Sequence, residues 1–181
     1  MTIPNILTIL RLILVPVIIY GVIVGWHQLA FWLFITAGIS DGVDGYIAKR
    51  FDQRSELGAY LDPLADKALL VSLFITLAIL DHIPLWLTIL VTSRDAFILA
   101  GIGVAALMGR PMEIDPLKVS KATTAFQIAL ICMVLARIAF DWDVALLVNS
   151  GIVLVAGLTL ASASAYLMSW FRHFSVPMNE E

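Results

Sequence analysis

The sequence predicts an all-α integral membrane protein, a bundle of six transmembrane helices with both termini on the cytoplasmic side, and three observations carry that prediction. Of its 181 residues, 61% are hydrophobic and only 14% charged, whereas a soluble domain holds roughly half and a quarter. Six windows reach the ~20 mostly apolar residues that a spanning helix needs. None shows the period-two alternation of barrel strands, the other structure that satisfies its backbone in lipid.

The windows cover residues 5–25, 29–49, 60–80, 84–108, 119–140 and 144–171. The first is read as a retained span and not as a cleaved signal, because nothing basic precedes Arg11, Arg11 interrupts the apolar run, and no A-x-A-like site follows. The connections between windows set the orientation through their Lys and Arg content. Lys49, Arg50 and Arg54 follow the second window, Arg110, Lys118 and Lys121 flank the fourth connection, and Arg172 follows the sixth window. The connections at 26–28, 81–83 and 141–143 carry no Lys or Arg. Arg137 is the exception, placed near the outer end of the fifth window, where it can snorkel or pair with Asp141. Trp26, Trp86, Trp142 and Trp170 fall near window ends, as interfacial aromatics do.

Several function classes drop out. A net charge of −3 without a basic stripe argues against nucleic acid as a partner. Cys132 is the only cysteine, so no intrachain disulfide forms. His27, His82 and His173 show no zinc-ligand spacing, and there is neither a G-x-S-x-G elbow nor a Walker loop.

Within or at the edges of the windows stand Arg11, Asp41, Asp44, Asp62, Asp66, Lys67, Arg94 and Asp95. Each costs roughly 2.5–3.5 kcal/mol at a helix centre and less near the ends, so these groups must face one another, a metal or a wet cavity. Asp41 and Asp44 are spaced i, i+3 and Asp62 and Asp66 i, i+4, which puts each pair on one helical face. Two such faces can converge on one point. Four carboxylates there repel one another unless a cation intervenes, and all-oxygen ligation favours Mg²⁺, Mn²⁺ or Ca²⁺ together with a phosphorylated substrate. Gly45 and Gly58 remove side chains where a bulky ligand could approach the backbone. Plainer readings stand beside these: Asp62-Pro63 as a helix N-cap, and Gly45 as a packing contact.

The run Asp41-Gly-Val-Asp44-Gly45-Tyr-Ile-Ala48-Lys49, with Gly58, Asp62 and Asp66 after it, resembles the CDP-alcohol phosphatidyltransferase signature D-x2-D-G-x2-A-R-x8-G-x3-D-x3-D. It departs only at Lys49, where the family usually has Arg; the charge is kept and the fork geometry for a diphosphate is lost. The opening Pro4-Asn5-Ile-Leu-Thr8-Ile-Leu-Arg11 is similar to the P-N-x2-T-x2-R start of the phosphatidylglycerophosphate synthase and cardiolipin synthase branches. Ser93-Arg94-Asp95 and Ser120-Lys121-Ala-Thr123-Thr124-Ala-Phe-Gln127 look more like the latter branch.

The resemblance implies a membrane enzyme whose catalytic domain spans residues 1–174, followed by a polar tail at 175–181. It implies that Asp41, Asp44, Asp62 and Asp66 hold a pair of Mg²⁺ or Mn²⁺ ions, with Asp66 also accepting the proton of the incoming hydroxyl. Asn5, Thr8, Gly45, Lys49, Ser55 and Gly58 would bind the CDP-lipid. The expected donor is CDP-diacylglycerol and the expected acceptor phosphatidylglycerol, giving cardiolipin and CMP, with glycerol 3-phosphate as the alternative acceptor. An anionic acceptor needs cations, for which Arg94, Lys118 and Lys121 are the candidates. Equally, Arg94 could pair with Asp95 or Asp44 as a helix staple, and the two lysines could serve topology alone.

A divalent-cation or proton-coupled transporter is the rival from another class, since intramembrane carboxylates also mark ion pathways. All four aspartates, however, cluster toward one membrane face and form no path across it. A non-catalytic membrane scaffold is a third reading. Small residues such as Gly101, Gly103, Ala161, Ala163 and Ala165 permit a homodimer without requiring one. The absence of a transit peptide points to a bacterial inner membrane, with the active site facing the cytoplasm.

Overall fold

Three tight reversals, each turning on one residue in the left-handed region, organise the chain into helical hairpins. The computed structural model describes residues 3–50, 56–107 and 118–175, with side chains described for 9–40, 66–101 and 119–170. Six helices result: α1 (Ile3–Ile23), α2 (His27–Arg50), α3 (Glu56–Ile79), α4 (Leu85–Leu107), α5 (Lys118–Phe140) and α6 (Ala145–Ser175). They coincide with the six apolar windows to within a few residues at each end. Among the described residues there is no strand.

Gly25 (φ 86°) closes α1 against α2, Asp81 (φ 58°) closes α3 against α4, and Asp141 (φ 53°) closes α5 against α6. Gly takes this conformation without a Cβ penalty, and Asp is among the few side chains that tolerate it. At the first reversal the Trp26 N–H donates to the Gly21 carbonyl at 2.7 Å, and at the second the His82 N–H donates to the Leu77 carbonyl at 2.9 Å. Both are the six-residue closure of a Schellman cap, which satisfies carbonyls that a helix end leaves open. Connections this short force antiparallel partners, so the three reversals share one end of the bundle.

Packing contacts run α1 to α2, α2 to α5, α5 to α6, α6 to α4, α4 to α3, and α3 back to α1, a closed ring with α3 also touching α5 across its middle. The two helices that carry the aspartates, α2 and α3, therefore meet through α1 on one side and α5 on the other. The core is built from Ile18 and Val22 of α1, Phe34 of α2, Leu73, Phe74 and Leu77 of α3, Leu87 and Val91 of α4, Leu130 and Val134 of α5, and Val148 and Val155 of α6. α5 and α6 approach closely at Gly151, where an added Cβ would lie 3.1 Å from Leu130 Cδ1 and 3.2 Å from Met133 Cε.

The exterior is as apolar as the interior. Ile79, Phe97, Leu146, Val153 and Met168 all stand exposed, a surface no soluble monomer maintains. Among the described residues, Val119–Phe140 and Ala145–Trp170 are long and apolar enough to cross a membrane, with mean hydropathies of 1.8 and 1.9. At the reversal end, aromatics gather: Tyr20 meets Trp26 edge-on at 6.0 Å, Phe140 meets Phe31 at 5.3 Å, and Trp142 lies 5.4 Å from Phe140. Trp26, Trp86 and Trp142 are exposed there, as aromatics at a membrane interface are. Trp170 sits toward the other end of the bundle, its indole nitrogen 3.6 Å from where a Cβ on Gly101 would be.

Candidate active site

Polar side chains buried in an apolar bundle must find partners, and their pairings draw on five of the six helices. Arg11 of α1 is 3% exposed and makes an ion pair with Asp66 of α3, whose side chain is 41% exposed. The burial is lopsided. The guanidinium is enclosed by protein while the carboxylate opens outward, so the arginine fixes the direction of the acid without covering it.

The next residue, Lys67, turns to a different neighbour. Its Nζ lies 2.5 Å from Asp95 Oδ2 on α4. Asp95 Oδ1 accepts from Arg94 Nη1 at 2.5 Å, so one buried carboxylate bridges two cations. Arg94 is 3% exposed. Its Nη2 donates to Ser120 Oγ of α5 and to Ser162 Oγ of α6, both at 2.6 Å, and its Nε reaches Ser162 Oγ at 3.2 Å. The Tyr166 ring lies 5.8 Å from the guanidinium carbon, within cation–π range. Such multidentate pairing is what allows an arginine to sit where an unpaired charge would be prohibitive. Nearby on α5, the Thr123 hydroxyl donates to the Val119 and Leu158 carbonyls, at 2.8 and 3.2 Å. Gln127 is buried, and its amide nitrogen has no hydrogen-bond partner among the described residues.

Of the residues expected from sequence, Asp41, Asp44, Gly45 and Lys49 fall on α2, Gly58, Asp62 and Asp66 on α3, Asn5 and Thr8 on α1, and Lys118 and Lys121 on α5. Side-chain positions for Asn5, Thr8, Asp41, Asp44, Gly45, Lys49, Gly58, Asp62 and Lys118 lie outside the described residues, as does Ser55 altogether. Lys121 is exposed. Arg94 is engaged by Asp95, Ser120 and Ser162, the stapling arrangement that its sequence context also allowed. Arg11 and Lys67 stand out in the sequence as ionisable groups in apolar surroundings, but their partners Asp66 and Asp95 are not specified there. The signal was the sign balance, since α3 places an acid and a base side by side and α4 does the same.

A divalent cation fits this donor chemistry. The signature acids are all carboxylates carried by two helices, an all-oxygen set of the kind that Mg²⁺ and Mn²⁺ prefer. Asp66, the one of the four whose side chain is described, is paired with Arg11 and 41% exposed.

The sequence model of the CDP-alcohol phosphatidyltransferases matches residues 1–170, and the chain belongs to that family of membrane transferases. Among curated relatives, a cardiolipin synthase (CMP-forming)/mitochondrial hydrolase fusion protein of Schizosaccharomyces pombe is 33% identical over 93% of this chain and 31% of its own length. A probable cardiolipin synthase (CMP-forming) of Drosophila melanogaster is 36% identical over 97% of this chain and 60% of its own. A CDP-diacylglycerol–glycerol-3-phosphate 3-phosphatidyltransferase of Pseudomonas fluorescens is 33% identical over 100% of this chain and 96% of its own. The chain thus spans about a third of the first relative's length, three fifths of the second's and nearly all of the third's.

Proposed function

We propose that this protein transfers the phosphatidyl group of CDP-diacylglycerol to the hydroxyl of phosphatidylglycerol, forming cardiolipin and releasing CMP. The observation that carries the reading is Asp66: a signature carboxylate, half-open, aimed by a buried arginine, in a chain whose relatives include cardiolipin synthases.

The acceptor oxygen attacks the phosphorus of the phosphatidyl group, its bond to the bridging oxygen of CMP breaks, and the hydroxyl proton passes to Asp66. An open carboxylate near the hydroxyl supplies that general-base help. Asp41, Asp44, Asp62 and Asp66 would hold two Mg²⁺ or Mn²⁺ ions, which when bound supply charge neutralisation on the diphosphate. Asn5, Thr8, Gly45, Lys49, Ser55 and Gly58 are assigned to the CDP-lipid. Lys118, Lys121 and Arg94 are assigned to the acceptor's phosphate. Because Arg94 already has a carboxylate counter-ion, the exposed Lys121 makes the first contact.

All six helices cross the membrane in this reading, with residues 1–174 as the catalytic domain and both termini cytoplasmic. Lys49, Arg50, Lys118 and Lys121 mark the end opposite the reversals, and cytoplasmic ends carry such charge. The reading places the protein in a bacterial inner membrane, in line with a Pseudomonas fluorescens relative at 33% identity. That same relative favours a second reading, in which glycerol 3-phosphate is the acceptor.

The test is CMP release by purified protein in nanodiscs containing CDP-diacylglycerol and Mg²⁺, with each acceptor supplied alone. Cardiolipin formation abolished by Asp66→Asn is the expected result. Consumption of glycerol 3-phosphate but not phosphatidylglycerol would select the second reading, and cation flux without CMP release would overturn both.

A further inference from the structure

We infer that Lys67 is a positioning residue for the reaction, acting through its ion pair with Asp95 to set the rotation of α3 and so the aim of Asp66; this rests on the transferase reading of the site. Consecutive residues of a helix point about 100° apart. On α3 this sends Asp66 toward Arg11 of α1 and Lys67 toward Asp95 of α4. A single tether lets a helix pivot about it. Two tethers on adjacent residues to two different helices are satisfied together at a single rotation.

The Lys67 tether ends on firm ground. Asp95 is 7% exposed and shares its other oxygen with Arg94, which is itself held by Ser120 and Ser162. The anchor for α3 therefore draws on α4, α5 and α6 together, and the α1 tether opposes it from the other side. Lys67 itself is 35% exposed. Among the described residues its ion-pair partner is Asp95. A carboxylate lies roughly 6 Å from the axis of its helix, so a turn of about 10° moves it by about 1 Å. Displacements of that size cost a catalytic constellation on the order of 10²-fold.

Lys67→Met keeps the length and apolar stem of the side chain and removes the tether. Lys67→Arg keeps the charge and can still reach Asp95. Asp95→Asn is the less useful variant, because it also leaves Arg94 without its counter-ion. Full-length protein in nanodiscs is loaded with Mn²⁺ alone and followed by electron paramagnetic resonance, and CMP release is measured per folded molecule. We expect Lys67→Met to weaken Mn²⁺ binding and to lower kcat by roughly 10- to 100-fold, with KM for CDP-diacylglycerol little changed and Lys67→Arg restoring both.

Wild-type Mn²⁺ affinity and kcat in Lys67→Met, with only a lower unfolding temperature, would reduce the pair to a helix staple and overturn the inference. Absence of Mn²⁺ binding by the wild-type protein would overturn it too. If the wild-type protein binds Mn²⁺ but releases no CMP, the transferase reading fails while the Mn²⁺ response of Lys67→Met still decides the positioning role.

Discussion

Arg11 and Asp66, 55 positions apart in the chain, form an ion pair between α1 and α3 in which the cation is enclosed and the anion is open. Removing the arginine takes away both the charge and the support behind the acid. Because Asp66 is 41% exposed, water can replace part of what it loses, so the cost in stability is modest and the cost in aim is not. Arg11→Met is expected to lower CMP release by about 10²-fold while the protein remains folded. Arg11→Lys should recover only part, since an ammonium is a point charge without the guanidinium fork. Kinetics beside thermal unfolding in nanodiscs separate the two effects.

That relationship also shows what the sequence could and could not reveal. Helix positions were legible because apolar windows of spanning length leave little choice of structure, and the three reversals follow from Gly25, Asp81 and Asp141 in connections only a few residues long. The family signature placed Asp66 on its helix. Partner identity was not legible: Arg11, Lys67, Arg94 and Asp95 could be joined in several ways that balance charge, and the ring order of helices decides among them. With α1 and α4 on either side of α3, Asp66 meets Arg11 and Lys67 meets Asp95. Nothing in the sequence marked Ser120 and Ser162 as partners of Arg94, because a serine in a membrane helix is equally at home bonded to its own backbone.

The Arg94–Asp95 pair predicts strong non-additivity. Asp95→Ala leaves a 3% exposed guanidinium with only hydroxyl partners, and loss of one member of a buried pair costs about 3–5 kcal/mol. Arg94→Met with Asp95→Ala removes both charges and should be less destabilising than Asp95→Ala alone. A double-mutant cycle read by thermal unfolding in nanodiscs checks this. A double variant destabilised by the sum of the Asp95→Ala and Arg94→Met effects would show that the pair contributes no coupling.

His82, in the reversal between α3 and α4, has its pKa lowered, first by burial and then by the positive fields of His27 and Arg137, against a smaller opposing pull from Asp81. Its neutral form is thus favoured in the folded state. The sign follows: the unfolded chain binds the proton more readily, so the contribution is fully present above 6.5, the ordinary value, and is lost as pH falls through the lowered folded-state value. Unfolding temperature measured from pH 7.5 down to 5 should fall less steeply in His82→Gln than in wild type. Because the reversals lie at the opposite end of α3 from Asp66, about 20 Å away at 1.5 Å per residue, the substitution should leave the pH dependence of kcat unchanged.

Gly151 predicts a graded steric response. An alanine Cβ there would sit 3.1 Å from Leu130 Cδ1 and 3.2 Å from Met133 Cε, both ends of side chains that can swing aside. Gly151→Ala should therefore be nearly neutral. Gly151→Leu cannot be absorbed by rotamers alone and is expected to cost about 1–3 kcal/mol, the usual range for overpacking. The comparison of unfolding temperatures in nanodiscs tests the α5–α6 approach directly.

Lys121 tests how an anionic acceptor is attracted. It is exposed on the second turn of α5 and has no ion pair among the described residues. It lies one residue beyond Ser120, whose hydroxyl accepts from Arg94. Neutralising it removes a cation from the acceptor side without unpairing any buried group, so Lys121→Gln should leave unfolding unchanged. If Lys121 draws in the acceptor phosphate, its KM should rise several-fold with kcat preserved, and the ratio to wild type should shrink as salt screens the wild-type attraction. A fall in kcat at unchanged KM would instead place Lys121 in the chemical step. Loss of membrane insertion without either kinetic change would assign it to topology.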